Sequence, residues 1–508
     1  MITATSTFAI PLRWAMPSAL LGGLLIYGAF PPLGLGYLAP VGVGLMTLAV
    51  YRRSFRGALG LSALTGAAYI GPLLSWMQIP GLDAWLMLTM LCMFWIMLMG
   101  AGIARVTRLP GWPVWVACLW VLQEALRGRI PWGGFAWGDL AFSQADTPLG
   151  KYAAMIGRPG VTFIVALAGT LALTALLSLR QAPRNSAMWG GALLVVIGIG
   201  ALVPTSPVTD GSLSIAVIQG GTPQLGLGAM DVRRQVLDNH VAQTLLLSRQ
   251  VKAGRAVQPD FVLWPENSTD IDPFLDASAA ADISRAAAAI NAPILVGAVV
   301  EVPGNPQGIW NMGVLWDPVT GPGERYIKKH PVPFGEYVPM REQLMAVIGR
   351  FDRIPRDFLP GTQPGVLDVG GALIGDLICF EVTDDYLVQL LMAGGAQLLT
   401  VQTNNATFGG SAQPEQQLEI ERLRAIETGR TVVVAATTGV SAFIGPDGVV
   451  REQLRQGEVG SMVEQVNLSR NGTLSSRLGM VPELVMCLLA LVFATLGGGG
   501  RMWWRRDL

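Results

Sequence analysis

The chain has 508 residues, of which 51% are hydrophobic and only 14% charged, with a mean hydropathy of +0.46. A soluble domain carries about 25% charged residues, so much of this chain is expected in lipid. The formal net charge is +0, which makes no case for a nucleic-acid partner, and four cysteines without framework spacing argue against a disulfide scaffold.

Apolar segments fill residues 1 to 205. Spans are predicted near Pro11–Phe30, Leu35–Tyr51, Gly57–Met77, Ala84–Ile103, Trp112–Leu126, Val161–Leu179 and Met188–Val203. The first has no clear cleavage site and others follow at once, so it reads as a span rather than a signal peptide. Linkers carrying Arg52, Arg53 and Arg56, then Arg105 and Arg108, then Arg180 and Arg184 alternate with linkers poor in charge. Placing the basic ones, and the tail with Arg501, Arg505 and Arg506, in the cytoplasm gives an inside N-terminus and seven spans. The middle of the chain then lies outside, and an eighth span near Val481–Leu496 returns it. The linker from Arg127 to Arg158 is external in this scheme yet carries Arg127, Arg129, Lys151 and Arg158. Its Trp132, Phe135 and Trp137 suit a membrane interface, and Arg127 and Arg129 suit lipid phosphates; an anchor without a chemical role fits equally well.

From Ser212 to about Leu468 short apolar strands alternate with charged, helix-like segments. Strands are predicted at Ser214–Gln219, Phe261–Trp264, Ile294–Ala298, Asn311–Trp316, Leu373–Cys379, Gln397–Gln402 and Thr431–Ala436, with helices at Asp231–Ala253 and Ala277–Ile290. This alternation predicts an α/β domain of roughly 250 residues with strands buried on both faces. The division is thus residues 1–210, a membrane domain; 211–470, the α/β domain; and 471–508, the last span with its basic tail.

Three strand ends carry reactive groups: Trp264-Pro-Glu266, Lys328-Lys-His-Pro-Val-Pro-Phe-Gly-Glu336 and Cys379-Phe-Glu381. A carboxylate, an amine and a thiol are what acyl transfer requires: a nucleophile, a base for its proton and a cation for the oxyanion. Cys92, Cys118 and Cys487 lie in long apolar runs, which singles out Cys379. A helix pattern follows it, and a helix N-terminus there favours thiolate. Each group also has a bland reading: a buried small hydrophobe for Cys379, an acid near a helix start for Glu266, surface charge for Lys328, a turn acid for Glu336. His240 and His330 have no partners at metal-ligand spacing, so no metal site is expected, and His330, with no acid evident at a triad-like position, reads as structural.

The order Glu, Lys, Cys at strand ends resembles the nitrilase (carbon–nitrogen hydrolase) superfamily. Thr403-Asn-Asn-Ala-Thr-Phe-Gly409 and Glu419-Ile-Glu-Arg-Leu-Arg-Ala-Ile-Glu-Thr-Gly-Arg430 agree with it. With spans before and after the domain, and Glu124, Arg127, Gly128, Gly134, Phe135 and Trp137 in the linker, the chain is similar to the bacterial apolipoprotein N-acyltransferase family. The resemblance implies an α-β-β-α sandwich on the extracytoplasmic side of a multi-pass protein of the bacterial cell membrane. It implies a ping-pong reaction without a cofactor, in which Cys379 takes an acyl chain from a membrane phospholipid as a thioester. The α-amine of a lipoprotein's diacylglyceryl-cysteine then accepts it. Glu266 would be the base and later the acid, Lys328 the oxyanion's partner, and Glu336, Phe380 and Glu381 supporting residues. Arg127, Trp137, Asn404 and Tyr337 would contact substrate. The sequence departs from the family pattern where Gly221–Met230 lacks a Trp, at Thr407 and Glu415, where aromatics are common, and at Gln417, where histidine is frequent. A membrane-tethered amidase or nitrilase acting on a small soluble substrate would use the same three residues. A scaffold without chemistry would not need all three, and a transporter would need ionisable residues deep in its spans.

Overall fold

A computed structural model describes residues 9–205, 209–228, 232–345 and 354–499; the Arg501, Arg505 and Arg506 tail lies outside them. The chain divides into two compact units, Met1–Thr205 with Thr473–Leu508, and Ser206–Gly472.

The first unit is helical. Its longer helices are Leu12–Gly28, Leu38–Val50, Phe55–Leu73, Leu82–Val106, Trp112–Arg127, Ala153–Ser178, Pro183–Leu202 and Val481–Gly499. Among the described residues three are long and apolar enough to cross a membrane by length and composition, Leu82–Val106, Gly150–Ser178 and Pro183–Leu202. Glycine lets two of the helices meet closely: a Cβ at Gly169 would stand 2.1 Å from the Pro40 carbonyl oxygen.

The second unit is two stacked sheets with helices on both outer faces. Its strands are β1 (Ser212–Gln219), β2 (Phe261–Leu263), β3 (Ile294–Val302), β4 (Asn305–Asp317), β5 (Gly321–Ile327), β6 (Asp357–Phe358), β7 (Val366–Val369), β8 (Ala372–Ile378), β9 (Leu398–Thr403), β10 (Val432–Ala436), β11 (Ser441–Ile444), β12 (Val450–Leu454) and β13 (Gly460–Asn467). One sheet runs β13-β1-β2-β3-β4-β5, with β6 on β4; the other runs β12-β11-β10-β9-β8-β7. In each, three strands are parallel (β1, β2, β3 and β8, β9, β10) and antiparallel strands flank them.

Side-chain alternation builds two cores from the same strands. Ile215, Val217, Phe261, Leu263 and Leu295 face Ile374, Ile378, Leu398 and Val433 of the opposite sheet. Ala216, Ile218, Val262, Trp264, Ile294 and Val296 face outward, under the helices Gln235–Lys252 and Ala277–Ile290. The second of these presents Ala279, Ile283, Ala286, Ala287 and Ile290 at helical spacing. It starts on Asp276, whose carboxylate accepts from the Ser278 and Ala279 amides. Helices Asp385–Ala393 and Gln413–Thr428 cover the other sheet. Burial on both faces explains why these strands read as continuous apolar runs.

Candidate active site

Glu266, Lys328 and Cys379 each follow the end of a strand, β2, β5 and β8 respectively, and the stacking of the sheets brings the three together. β2 is short because Pro265 cannot continue the ladder, and the chain turns there through Asn267 at φ +52°. The neighbouring β3 packs so closely that a Cβ at Gly297 would lie 2.1 Å from the Pro265 carbonyl oxygen and 2.8 Å from the Glu266 Cα. The Thr437 hydroxyl donates to the Glu266 carbonyl at 3.2 Å. The backbone carrying Glu266 is thus fixed from both sheets.

The carboxylates and the amine form one buried constellation. Glu266 is 4% exposed and Lys328 1%. Lys328 Nζ donates to Glu266 Oε1 at 3.1 Å and to Glu336 Oε1 at 2.9 Å. Asn311 Nδ2 donates to the same two oxygens, at 2.7 and 2.8 Å. The Asn404 amide supplies Glu266 Oε2 at 2.8 Å, and the Val332 amide supplies Glu336 Oε2 at 2.7 Å. Burial pulls the Lys328 ammonium toward neutrality, but the Glu266 and Glu336 carboxylates outweigh it, and the group is held above the usual lysine range.

Cys379 opens a 3₁₀ turn, Cys379–Thr383, at φ +56°. The strand therefore stops at Ile378, one residue before its predicted end. This backbone conformation is rare for a residue with a side chain; here it turns the chain sharply between β8 and the following helix. The thiolate expected beside a helix N-terminus is not what the structure supports. The helix begins only at Asp385, and the Asp384 carboxylate caps it by accepting from the Tyr386 and Leu387 amides. Burial, with the Glu266 carboxylate acting in the same direction, pushes the Cys379 thiol up to about 12; Lys328 and a hydrogen bond from Thr403 offset only part.

Glu381 stitches the two sheets together below this site. Its carboxylate accepts from the Ile378, Lys329 and His330 amides, at 2.9, 2.8 and 3.0 Å, and from the Tyr326 hydroxyl, at 2.8 Å. It fixes the Lys328 segment against the Cys379 turn. Burial raises it above the ordinary carboxylate range, in spite of Lys328 and these N–H groups. Phe380, between the two, is half-buried. Of the residues expected to meet substrate, Asn404 joins the site through its amide, and Tyr337 is half-buried with its carbonyl accepting from Phe334 at 2.7 Å.

Arg127 and Trp137 belong to the helical unit. Arg127 is 3% exposed and Trp137 2%. The guanidinium donates to the Phe135 and Trp137 carbonyls and pairs with Asp139. Arg158 also pairs with Asp139, and stands 3.7 Å from Glu124. Arg129 reaches Glu483 at 2.7 Å.

Three features were not read from the sequence. Asn311 is one, and its signal was a polar residue in an otherwise apolar strand, where an amide is kept only for its hydrogen bonds. The second is the contact of His330 Nδ1 with Asp384 at 2.5 Å, an acid brought in from 54 positions away. The third is the polar line behind Thr403, described below. No group of histidine, cysteine and acidic residues among the described residues could hold a metal.

Residues 22–171 match the family model described as the apolipoprotein N-acyltransferase N-terminal domain, and residues 215–474 match that of the carbon–nitrogen hydrolases. The apolipoprotein N-acyltransferase of Mycolicibacterium smegmatis is 39% identical over 95% of this chain and 86% of its own length. That of Pseudomonas syringae pv. tomato is 31% identical over 94% and 96%. Among solved structures, an amidase from Nesterenkonia sp. covers 53% of this chain and 94% of its own at 19% identity and a TM-score of 0.36.

Proposed function

This chain belongs to the apolipoprotein N-acyltransferase family, within the carbon–nitrogen hydrolases, and on that premise we propose how its buried Glu–Lys–Cys constellation moves an acyl chain from phospholipid to lipoprotein. The product is an amide on the α-amine of a diacylglyceryl-cysteine. The match of residues 22–171 to the N-terminal domain of such enzymes favours this reaction over hydrolysis of a small soluble amide.

The observation that carries the mechanism is the Lys328 ammonium bound at once to Glu266 and Glu336 beside the Cys379 turn. Because the thiol is held protonated, Glu266 takes its proton as the sulfur attacks the ester carbonyl, rather than meeting a thiolate already formed. Lys328 holds the oxyanion. Collapse expels the lysophospholipid alkoxide, to which Glu266 returns the proton, and leaves a thioester on Cys379. The amine then attacks, Glu266 accepts its proton and passes it to the sulfur, which departs as the thiol as the amide forms. Glu336 and Asn311 keep Glu266 and Lys328 in place throughout. An amine outcompetes water only in a site that excludes it, which suits a constellation this deeply buried.

Both substrates are anchored in lipid, which gives the helical unit its task. In this reading the seven helices between Leu12 and Leu202 and the Val481–Gly499 helix are spans of a bacterial cell membrane. The basic linkers lie in the cytoplasm, and the catalytic unit, about residues 211–470, on the other side. Asn404, Tyr337 and Phe380 are the candidates nearest the chemistry for substrate contact.

The test is the intact mass of the purified protein after incubation with phospholipid, wild type beside Cys379→Ser. An added acyl mass on Cys379, removed by hydroxylamine, is expected. No adduct, with Cys379→Ser turning over phospholipid as wild type does, would sink the thioester route.

A further inference from the structure

Behind the sulfur a line of buried polar side chains leads away from the Glu–Lys–Cys constellation. Ile378 of β8 and Gln402 of β9 are paired in parallel register, so the next residues, Cys379 and Thr403, are neighbours. The Thr403 hydroxyl is close enough to the cysteine to favour its charged form. Gln417, on the helix Gln413–Thr428, donates through Nε2 to Thr403 Oγ1 at 3.1 Å and to Glu421 Oε1 at 2.9 Å. Its Oε1 accepts from Asn405 Nδ2 at 2.9 Å. Thr403, Asn405, Gln417 and Glu421 are each at most 2% exposed.

These partners fix the amide. Turning Gln417 over would set its NH₂ against the Asn405 NH₂, which also donates to Gln413. With Gln417 donating to it, the Thr403 oxygen is occupied as an acceptor, and its single proton must find another acceptor. Asn405 Oδ1 and Gln417 Oε1 both lie at 3.3 Å, beyond the usual range for a hydroxyl donor of about 2.5–3.0 Å. The sulfur of Cys379 competes with these two long bonds for the proton, and does so best when it is charged.

We propose that Thr403 donates its hydroxyl proton to the Cys379 sulfur whenever that sulfur carries negative charge, and that Gln417, locked by Asn405, is the positioning residue that turns the hydroxyl to this task. The proposal rests on Cys379 being the nucleophile. A thioester sulfur is a poor acceptor and a thiolate a strong one, so the bond favours the charged form selectively. It thereby assists thiol attack in the first half-reaction and departure of the sulfur in the second.

The test is the rate at which iodoacetamide alkylates Cys379 in the full chain in detergent micelles at pH 8, followed by the mass of the Cys379 peptide. Below the thiol's midpoint a rise of one pH unit in that midpoint is a tenfold loss of rate. Thr403→Val is expected to alkylate about tenfold more slowly, and Thr403→Ser to recover to within about threefold of wild type. Gln417→Glu keeps the shape but replaces the donor facing Thr403 with an acceptor, and slows alkylation in the same sense. It serves also where Thr403→Val does not fold. Equal rates for wild type, Thr403→Val and Gln417→Glu would overturn the proposal. So would equal slowing by Val and Ser, which would trace the effect to packing of the methyl group. If Cys379→Ser still transferred acyl chains, the nucleophile itself would be wrong, an outcome distinct from either.

Discussion

Asn311 and Glu266 are joined by a 2.7 Å hydrogen bond to the same carboxylate oxygen that accepts from Lys328. The amide also reaches Glu336, so one neutral side chain holds two carboxylates at a fixed separation. Asn311→Asp puts a third carboxylate between them. Repulsion then displaces Glu266 from its place beside the thiol. Acyl transfer is expected to fall roughly a hundredfold, the scale of a misplaced catalytic group, while Asn311→Gln recovers little because its amide reaches too far. Steady-state rates on a fluorescent phospholipid check this.

Lys328→Met leaves Glu266 and Glu336 buried without their cation. Removing one partner of a buried pair costs on the order of 3–5 kcal/mol, so the variant is expected to melt well below wild type and to form no acyl-enzyme. Adding Glu266→Gln and Glu336→Gln relieves the buried charge. The triple variant is expected to regain most of the lost melting temperature while remaining inactive. A thermal melt beside intact mass separates these two outcomes.

Burial raises the Glu421 carboxyl from about 4.5 to about 8. Its proton is held more tightly folded than unfolded, so its contribution to stability is complete below about pH 4.5 and is lost as pH rises through about 8. Glu421→Gln keeps a carbonyl oxygen for Gln417 and removes the titration. The melting temperature of this variant is expected to fall less than that of wild type between these limits.

His330 is raised above the ordinary histidine range, first by its hydrogen bond to Asp384. The imidazolium's contribution is complete below the unfolded value and fades as pH climbs through the raised one. Asp384→Asn keeps an N-cap for the following helix but takes away the carboxylate. The His330 ring signals in an NMR titration are expected to shift at lower pH in that variant.

In the helical unit, Arg127 is committed to Asp139 and two carbonyls. Arg127→Gln and Asp139→Asn are each expected to lower the melting temperature and the yield of folded protein. If phospholipid KM rose instead with stability unchanged, the Arg127 side chain would have to leave Asp139 for the substrate.

Glu266 and Cys379 were legible because each follows a recognisable apolar strand, and Lys328 because it opens a short motif that ends on Glu336. Their chemistry is local to short motifs, and the stacking of two sheets assembles them. Strands β1 to β4 and β8 to β10 were legible for the same reason. The edge strands β5, β7, β12 and β13 were not: Gly321–Ile327 and Val450–Leu454 are polar and largely exposed, and leave no apolar run to read; β11, though buried, is only four residues long. Asp384 near His330, and Gln417 behind Thr403, could not be found by spacing. Their partners come from another segment, and only the tertiary fold makes them neighbours. The charge of the Cys379 thiol could not be read by spacing either, because burial, which only the tertiary fold imposes, holds it protonated.

Cys379 at φ +56° leaves the protein carrying a conformational debt at its proposed nucleophile. A residue with a side chain in that region costs on the order of 1–3 kcal/mol, and glycine very little. The fold should therefore gain stability from Cys379→Gly, and more from it than from Cys379→Ala, in which the Cβ remains. A catalyst that carries strain at the residue proposed to react cannot be improved for robustness at that position without ending its chemistry. Selection for turnover, and not for endurance, would then be what keeps a cysteine where glycine sits more comfortably.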